Sequence, residues 1–245
     1  MPHLRAALLL PATLLAACNA ATSKGTTPCP EASDSTADAA MASAKGADTG
    51  SPPAPPDAAL TCAAEAVYDT GNGSPTCGEF RWDVKTGMDD DADNVSLMPV
   101  ATTIAEMVTL TPPDNLDSNK QRQAPVETTT YRLSDVTMTY AKLSDDGDYH
   151  LDVSDGTNSM ITEVPFPGCL TSPTPFSCFI THARASVEAT FLPDTTGECV
   201  DYTVSMVGVG FFDDVAGRTG QAPNGVELHP LLGVCFGAGC DPTAQ

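Results

Sequence analysis

Four side chains in the second half of the chain are of the types that metal and acid–base chemistry use: His150, Asp152, Glu163 and His229. In Tyr149-His150-Leu151-Asp152-Val153, apolar and polar residues alternate with the period of a strand. If Tyr149, Leu151 and Val153 face a core, His150 and Asp152 face away from it. Val226-Glu227-Leu228-His229 repeats the pattern, and Glu163 joins the outward set when Met160, Thr162 and Val164 point inward. Asp145, Asp146 and Asp148 stand beside the first of these strands. An imidazole with two or three carboxylates is a ligand set for a divalent cation, zinc or manganese rather than calcium. Such an ion would activate water for hydrolysis. No fixed ligand spacing is present, however, and the same residues also suit a solvated polar face that holds no cofactor and has a histidine supporting the hairpin. His229 before Pro230 suits hydrogen-bond anchoring of the last strand, and His182 is expected to be exposed on a helix.

Other chemistries lack their residues. The run Asp89-Asp90-Asp91-Ala92-Asp93-Asn94 has Asn94 where an EF-hand loop needs glycine, and Val100 where it needs glutamate. Nucleophile motifs of the G-x-S-x-G, S-x-x-K and H-E-x-x-H kinds are absent. The formal charge is −21, with only 11 Lys and Arg, which repels phosphate backbones and excludes nucleic acid as an expected partner.

Hydrophobic periodicity supplies the elements that would position the outward residues. From Tyr131 to Tyr140 the apolar positions alternate, then change phase after Ser134-Asp135, as across a β-bulge. Strands over Tyr149–Val153 and Met160–Val164 follow, then a helix over Phe179–Phe191. Strands over Val200–Phe212 and Val226–Val234 complete the pattern, the former with a second phase change near Gly208 and Gly210. This order resembles the OB-fold, which implies a mainly β, five-stranded Greek-key barrel with one helix between strands three and four. The usual binding surface of that fold is the outer face of strands two and three with the loops after strands one and four. The barrel is expected over 126–240. A small cysteine-containing segment over 60–125 precedes it, with a short helix over Ala101–Leu110 stopped by Pro112-Pro113.

The N-terminal region speaks of location. A basic start, a short apolar run and Leu15-Ala16-Ala17-Cys18 resemble the signal peptide and lipobox of bacterial lipoproteins. The resemblance implies removal of 1–17, a diacylglycerol on the Cys18 sulfur and a place in the bacterial cell envelope. Asn19 after the cysteine hints at the outer membrane. Residues 18–59 contain almost no large apolar side chain and end in Ser51-Pro52-Pro53-Ala54-Pro55-Pro56, the composition of a disordered tether. Nine cysteines, one of them Cys18, leave an even number for disulfides in an oxidising compartment. The local pairs Cys62 with Cys77 and Cys169 with Cys178 are expected, and Cys199 with Cys235 or Cys240.

Asp148-Tyr149-His150-Leu151 and Asn224-Gly225-Val226-Glu227-Leu228-His229-Pro230 also resemble an uncharacterised group of exported bacterial proteins. That likeness brings no activity with it. The expectation is therefore a lipid-anchored binding or structural module without a cofactor, touching the membrane through its lipid and an envelope protein or small ligand through its fold. The alternative is a hydrolase that holds a divalent cation on His150, Asp152 and Glu163.

Overall fold

The computed structural model describes residues 29, 59–62, 77, 80–114, 116 and 121–244. The expected leader, Cys18 and most of the tether lie outside the described residues.

The described chain is mainly β. Six strands, β1 (Ser96–Ala101), β2 (Thr129–Leu143), β3 (Tyr149–Ser154), β4 (Ser159–Val164), β5 (Glu198–Phe212) and β6 (Val226–Phe236), form one mixed sheet in the order β1-β2-β3-β4-β6-β5. β2 pairs with β5 as well, so the sheet returns on itself. The closure is uneven. β2 and β5 run together from Thr130–Val209 to Ala141–Glu198, whereas β4 and β6 meet only at Ile161–Glu227 and Thr162–Leu228.

The irregularities follow from particular residues. The register of β2 against β5 shifts between Leu133 and Val136, where Asp135 adopts φ 51°. That extra residue turns the alternation over and bends the strand, which lets one strand serve several neighbours. In β5 the shift lies between Gly208 and Gly210. A Cβ at Gly210 would stand 2.6 Å from the carbonyl oxygen of Val126, so backbone passes where a side chain could not fit.

Three α-helices accompany the sheet: α1 (Trp82–Thr86), α2 (Ile104–Met107) and α3 (Ser177–Thr190), the last between β4 and β5. The helix expected over Ala101–Leu110 is shorter than its periodicity implied. Ala101 belongs to β1 and pairs with Arg132, and Thr103 starts the helix with a capping box closed by Glu106. β1 also makes the strand count six rather than the expected five. Leu133, Met138, Leu151, Met160, Ile180 and Met206 fill one apolar core, and Leu60, Ile104 and Met107 from the preceding segment belong to it.

Four disulfides are present: Cys29–Cys199, Cys62–Cys178, Cys77–Cys169 and Cys235–Cys240. Cys62, Cys77, Cys169 and Cys178 are thus all bridged, but the expected partners are exchanged. The expectation rewarded short loops. The chain around Leu60 instead runs beside β1, with the Leu60 N–H bonded to the Leu97 carbonyl, and its cysteine reaches the start of α3. Cys199 likewise bonds neither expected partner, because Cys235 closes a turn with Cys240.

A buried ion pair joins the N-terminal segment to the sheet. Both terminal nitrogens of Arg81 reach Glu127, at 2.7 and 2.6 Å, and Glu127 also accepts from the backbone N–H groups of Gln123 and Phe212. Glu127→Ala should cost about 3–5 kcal/mol, because it strips a buried guanidinium of its counter-charge. Denaturant titration reads this directly, and a loss under 1 kcal/mol would contradict the assigned role. Non-reducing peptide mapping should recover Cys62 with Cys178 and Cys77 with Cys169. Recovery of Cys62 with Cys77 would contradict the register of the whole segment.

Candidate functional site

β3, β4 and β6 carry the site, and strand geometry explains why it is single. Tyr149, Leu151, Val153, Met160, Val164, Val226 and Leu228 all enter the core. The intervening His150, Asp152, Glu163, Glu227 and His229 therefore share the opposite face. His150 faces Glu163 in the β3–β4 register, and β6 brings His229 from the other side.

These side chains interlock. His150 has Nε2 2.9 Å from an oxygen of Asp152 and Nδ1 2.9 Å from Oε1 of Glu163. The other Glu163 oxygen lies 2.9 Å from Nδ1 of His229, whose Nε2 stands 3.3 Å from Asp148. Carboxylate and imidazole thus alternate from Asp152 to Asp148, and Glu227 flanks the row 3.9 Å from His229.

The solvated polar face expected for these residues is corrected by their burial: Asp148, Asp152, Glu163, Glu227 and His229 are all buried. Two elements cover them. α1 packs on β6 and brings Lys85, whose Nζ stands 3.3 Å from Asp213. The β5–β6 loop brings Arg218 against Asp213 and Asp214, and Gly220 sits so close to Asp152 that a Cβ there would strike the carboxylate. His229 meets Glu163 and Asp148 at ion-pair distance, off hydrogen-bond alignment. His182 is half-buried rather than exposed.

A cleft of about 540 Å³ opens over the His150 end of the row. Its wall includes Tyr140 and Lys142 of β2, Ser144 to Asp146 of the β2–β3 loop, Lys85, and Asp213 and Arg218 of the β5–β6 loop, with Glu163 in its lining. Cys29, held by its bond to Cys199, also lines it. Lys85 and Arg218 escaped sequence reasoning because neither lies in a periodic segment and both reach the site through tertiary packing. The outward Glu227 was legible from alternation alone.

Burial by itself would lower the basicity of His150. The hydrogen bonds to Asp152 and Glu163 outweigh it and push its pKa up to about 10. Burial drives Asp148 and Glu227 up to about 6, against the opposing pull of His229. His229 is pushed well above its ordinary value, because Asp148 and Glu163 more than offset its burial. His150 therefore serves as a doubly protonated donor, and taking it as a metal ligand would break one of two aligned hydrogen bonds.

Comparison with family models, curated proteins and solved structures yields no match for the chain. What the site does must be argued from its geometry.

A raised folded-state pKa at His150 contributes stability that is complete below about pH 6.5 and is lost as pH rises through about 10. In chelator-containing buffer the melting temperature should fall between pH 7 and 10. His150→Gln should show a shallower fall over the same window. Parallel curves for the two proteins would refute the bridging role of His150.

Proposed function

We propose that this chain is an exported, lipid-anchored module of the bacterial envelope whose OB-like barrel binds a small polar ligand in the cleft over His150. The observation that carries the reading is the position of the cleft between the β2–β3 and β5–β6 loops. The circuit β2-β3-β4-β6-β5-β2, with α3 between β4 and β5, supports an OB-like arrangement. In that arrangement these loops are the ones that follow the first and fourth barrel strands, where such folds bind their ligands. Four disulfides suggest an oxidising, extracytoplasmic location. Among the described residues no helix is long and apolar enough to cross a membrane, and anchoring is assigned to Cys18.

The cleft wall favours a ligand that carries hydrogen-bonding groups and charge of either sign. Lys142 and Asp145 present opposite charges beside the ring of Tyr140. Single-stranded nucleic acid fits poorly, because Asp145, Asp146 and Asp213 interrupt any basic track. Hydrolysis through a cation on His150 and Asp152 is the weaker reading, since both ring nitrogens of His150 are already engaged.

The full-length protein, incubated with a small-molecule extract of bacterial envelopes, should retain a mass adduct in native mass spectrometry. Lys142→Glu combined with Tyr140→Phe should lose it while the protein still unfolds in one cooperative transition. No adduct, or the same adduct on both proteins, would overturn the binding assignment. Anchoring is checked separately: Cys18→Ser should move the processed protein from the membrane fraction to the soluble fraction, and unchanged fractionation would remove the lipid from the scheme.

A further inference from the structure

At the inner end of the row the side chains are placed differently from those around His150. Oδ2 of Asp148, both oxygens of Glu227 and both ring nitrogens of His229 are buried and make no aligned hydrogen bond. Most of the buried side-chain polar atoms without such a partner, among the described residues, therefore lie together in this one place. Burying a polar atom unpaired is destabilising, and more so when it is charged. The distances are short nonetheless: Glu163 lies 2.9 Å from Nδ1 of His229 and Asp148 3.3 Å from Nε2. At His150, by contrast, both carboxylates accept aligned hydrogen bonds. Contact without hydrogen-bond alignment is how metal ligands sit with respect to one another, since each points at the ion rather than at its neighbour.

The two carboxylates next to His229 are also oriented as single-oxygen ligands. Oδ1 of Asp148 accepts the Phe166 N–H at 2.9 Å, and Oε1 of Glu163 accepts from His150 at 2.9 Å. In each, the second oxygen is left to face His229. Outer hydrogen bonds that hold one oxygen and free the other are the usual support of a metal-bound carboxylate. Asp148, Glu163 and His229 each offer a donor atom within 4.8 Å of the other two. Glu227 is 1% exposed and stands 3.9 Å from both His229 and Arg218, beyond hydrogen-bond reach of either.

We infer that His229, Asp148 and Glu163 form a buried divalent-metal site, with Glu227 supplying the fourth ligand or the balancing charge. One ring nitrogen of His229 with up to three buried carboxylates suits zinc, with manganese as the harder alternative. The site goes beyond the cleft and its ligand. Asp148, Glu227 and His229 do not line the cleft and Glu163 does, so the ion would sit behind the cleft's lining and fix Glu163, and through it His150, in place. The competing occupant is a proton on His229, which would also answer the surrounding negative charge.

The test uses the full-length chain with its disulfides intact. Protein purified without chelator or metal resin should contain about one zinc or manganese per chain by elemental analysis. Stripping with chelator should lower its melting temperature, and zinc or manganese chloride should restore it in about 0.5 M sodium chloride, where loose binding to surface acids is screened. Asp148→Asn and Glu227→Gln keep side-chain shape, and each should weaken the metal by at least about tenfold. His229→Gln should abolish binding. Less than about a tenth of an ion per chain, with no melting shift on adding either metal, would overturn the site in favour of the proton. Unchanged metal affinity in the folded Asp148→Asn and Glu227→Gln variants would overturn it as well, by placing the ion elsewhere.

Discussion

Charge held in a low-dielectric interior must be compensated on the spot, and that constraint organises everything outside the apolar core. β3, β4 and β6 turn their apolar side chains inward and thereby commit His150, Asp152, Glu163, Glu227 and His229 to one outer face. Once that face is covered, its carboxylates need cations. The chain supplies them from elements distant in sequence: Lys85 on α1, Arg218 on the β5–β6 loop, and His150 between Asp152 and Glu163. Buried ion pairs are seldom more stabilising than apolar packing of the same volume. A sheet that needed only a lid would do better with leucine at these positions. Retention of a costly polar layer therefore points to something the layer does, and the cleft opening onto its outer end is where that can be expressed.

The same constraint explains why the segment before β2 is more than a spacer. α1 carries Lys85 to the polar face, and it is held there by Arg81 on Glu127 and by Arg122, which pairs with Asp89 and donates to the Val84 carbonyl. The bridges Cys62–Cys178 and Cys77–Cys169 span 116 and 92 residues. Closing such long loops removes more freedom from the unfolded chain than the short pairings would. The bridges tie Cys62 to the start of α3 and Cys77 to the turn after β4, so the segment that bears α1 is fixed at both ends of the β4–α3 connection.

Much of this was legible in the sequence, for a definite reason. Alternation in Tyr149–Val153, Met160–Val164 and Val226–His229 reports which side chains share a face, because the strand period leaves only two choices. The phase change at Ser134-Asp135 reports the bulge for the same reason. Whether the outer face is wet or covered is a different kind of fact. It depends on α1 and on the loop through Gly220, whose contacts are tertiary and leave no local period. The helix expected over Ala101–Leu110 takes in the last residue of β1 because Ala101, Ile104 and Val108 have helical spacing, while the pairing of Ala101 with Arg132 is decided by β2. Cysteine partners were misassigned on the same grounds: loop length is visible in a sequence, and the path of the chain between the cysteines is not.

Cys29 changes how the proposed anchor would act. Composition alone predicts a long spacer over 18–59, which would place little limit on the distance from membrane to sheet. The bond from Cys29 to Cys199 fastens one point of that stretch to β5, and Cys29 lines the cleft. With lipid on Cys18, the free span is then only the eleven-residue interval to Cys29, whose fully extended reach is roughly 40 Å. The proposed anchor and the cleft would thereby be coupled through one disulfide. A lipid at the proposed position would hold the cleft within a few nanometres of the bilayer surface. Reduction of Cys29–Cys199 would release that limit while the ion pairs of the polar layer, which involve neither cysteine, stayed in place. If the cleft binds as proposed, a ligand met close to the membrane would gain most, because a short leash lengthens the time the site spends near its source.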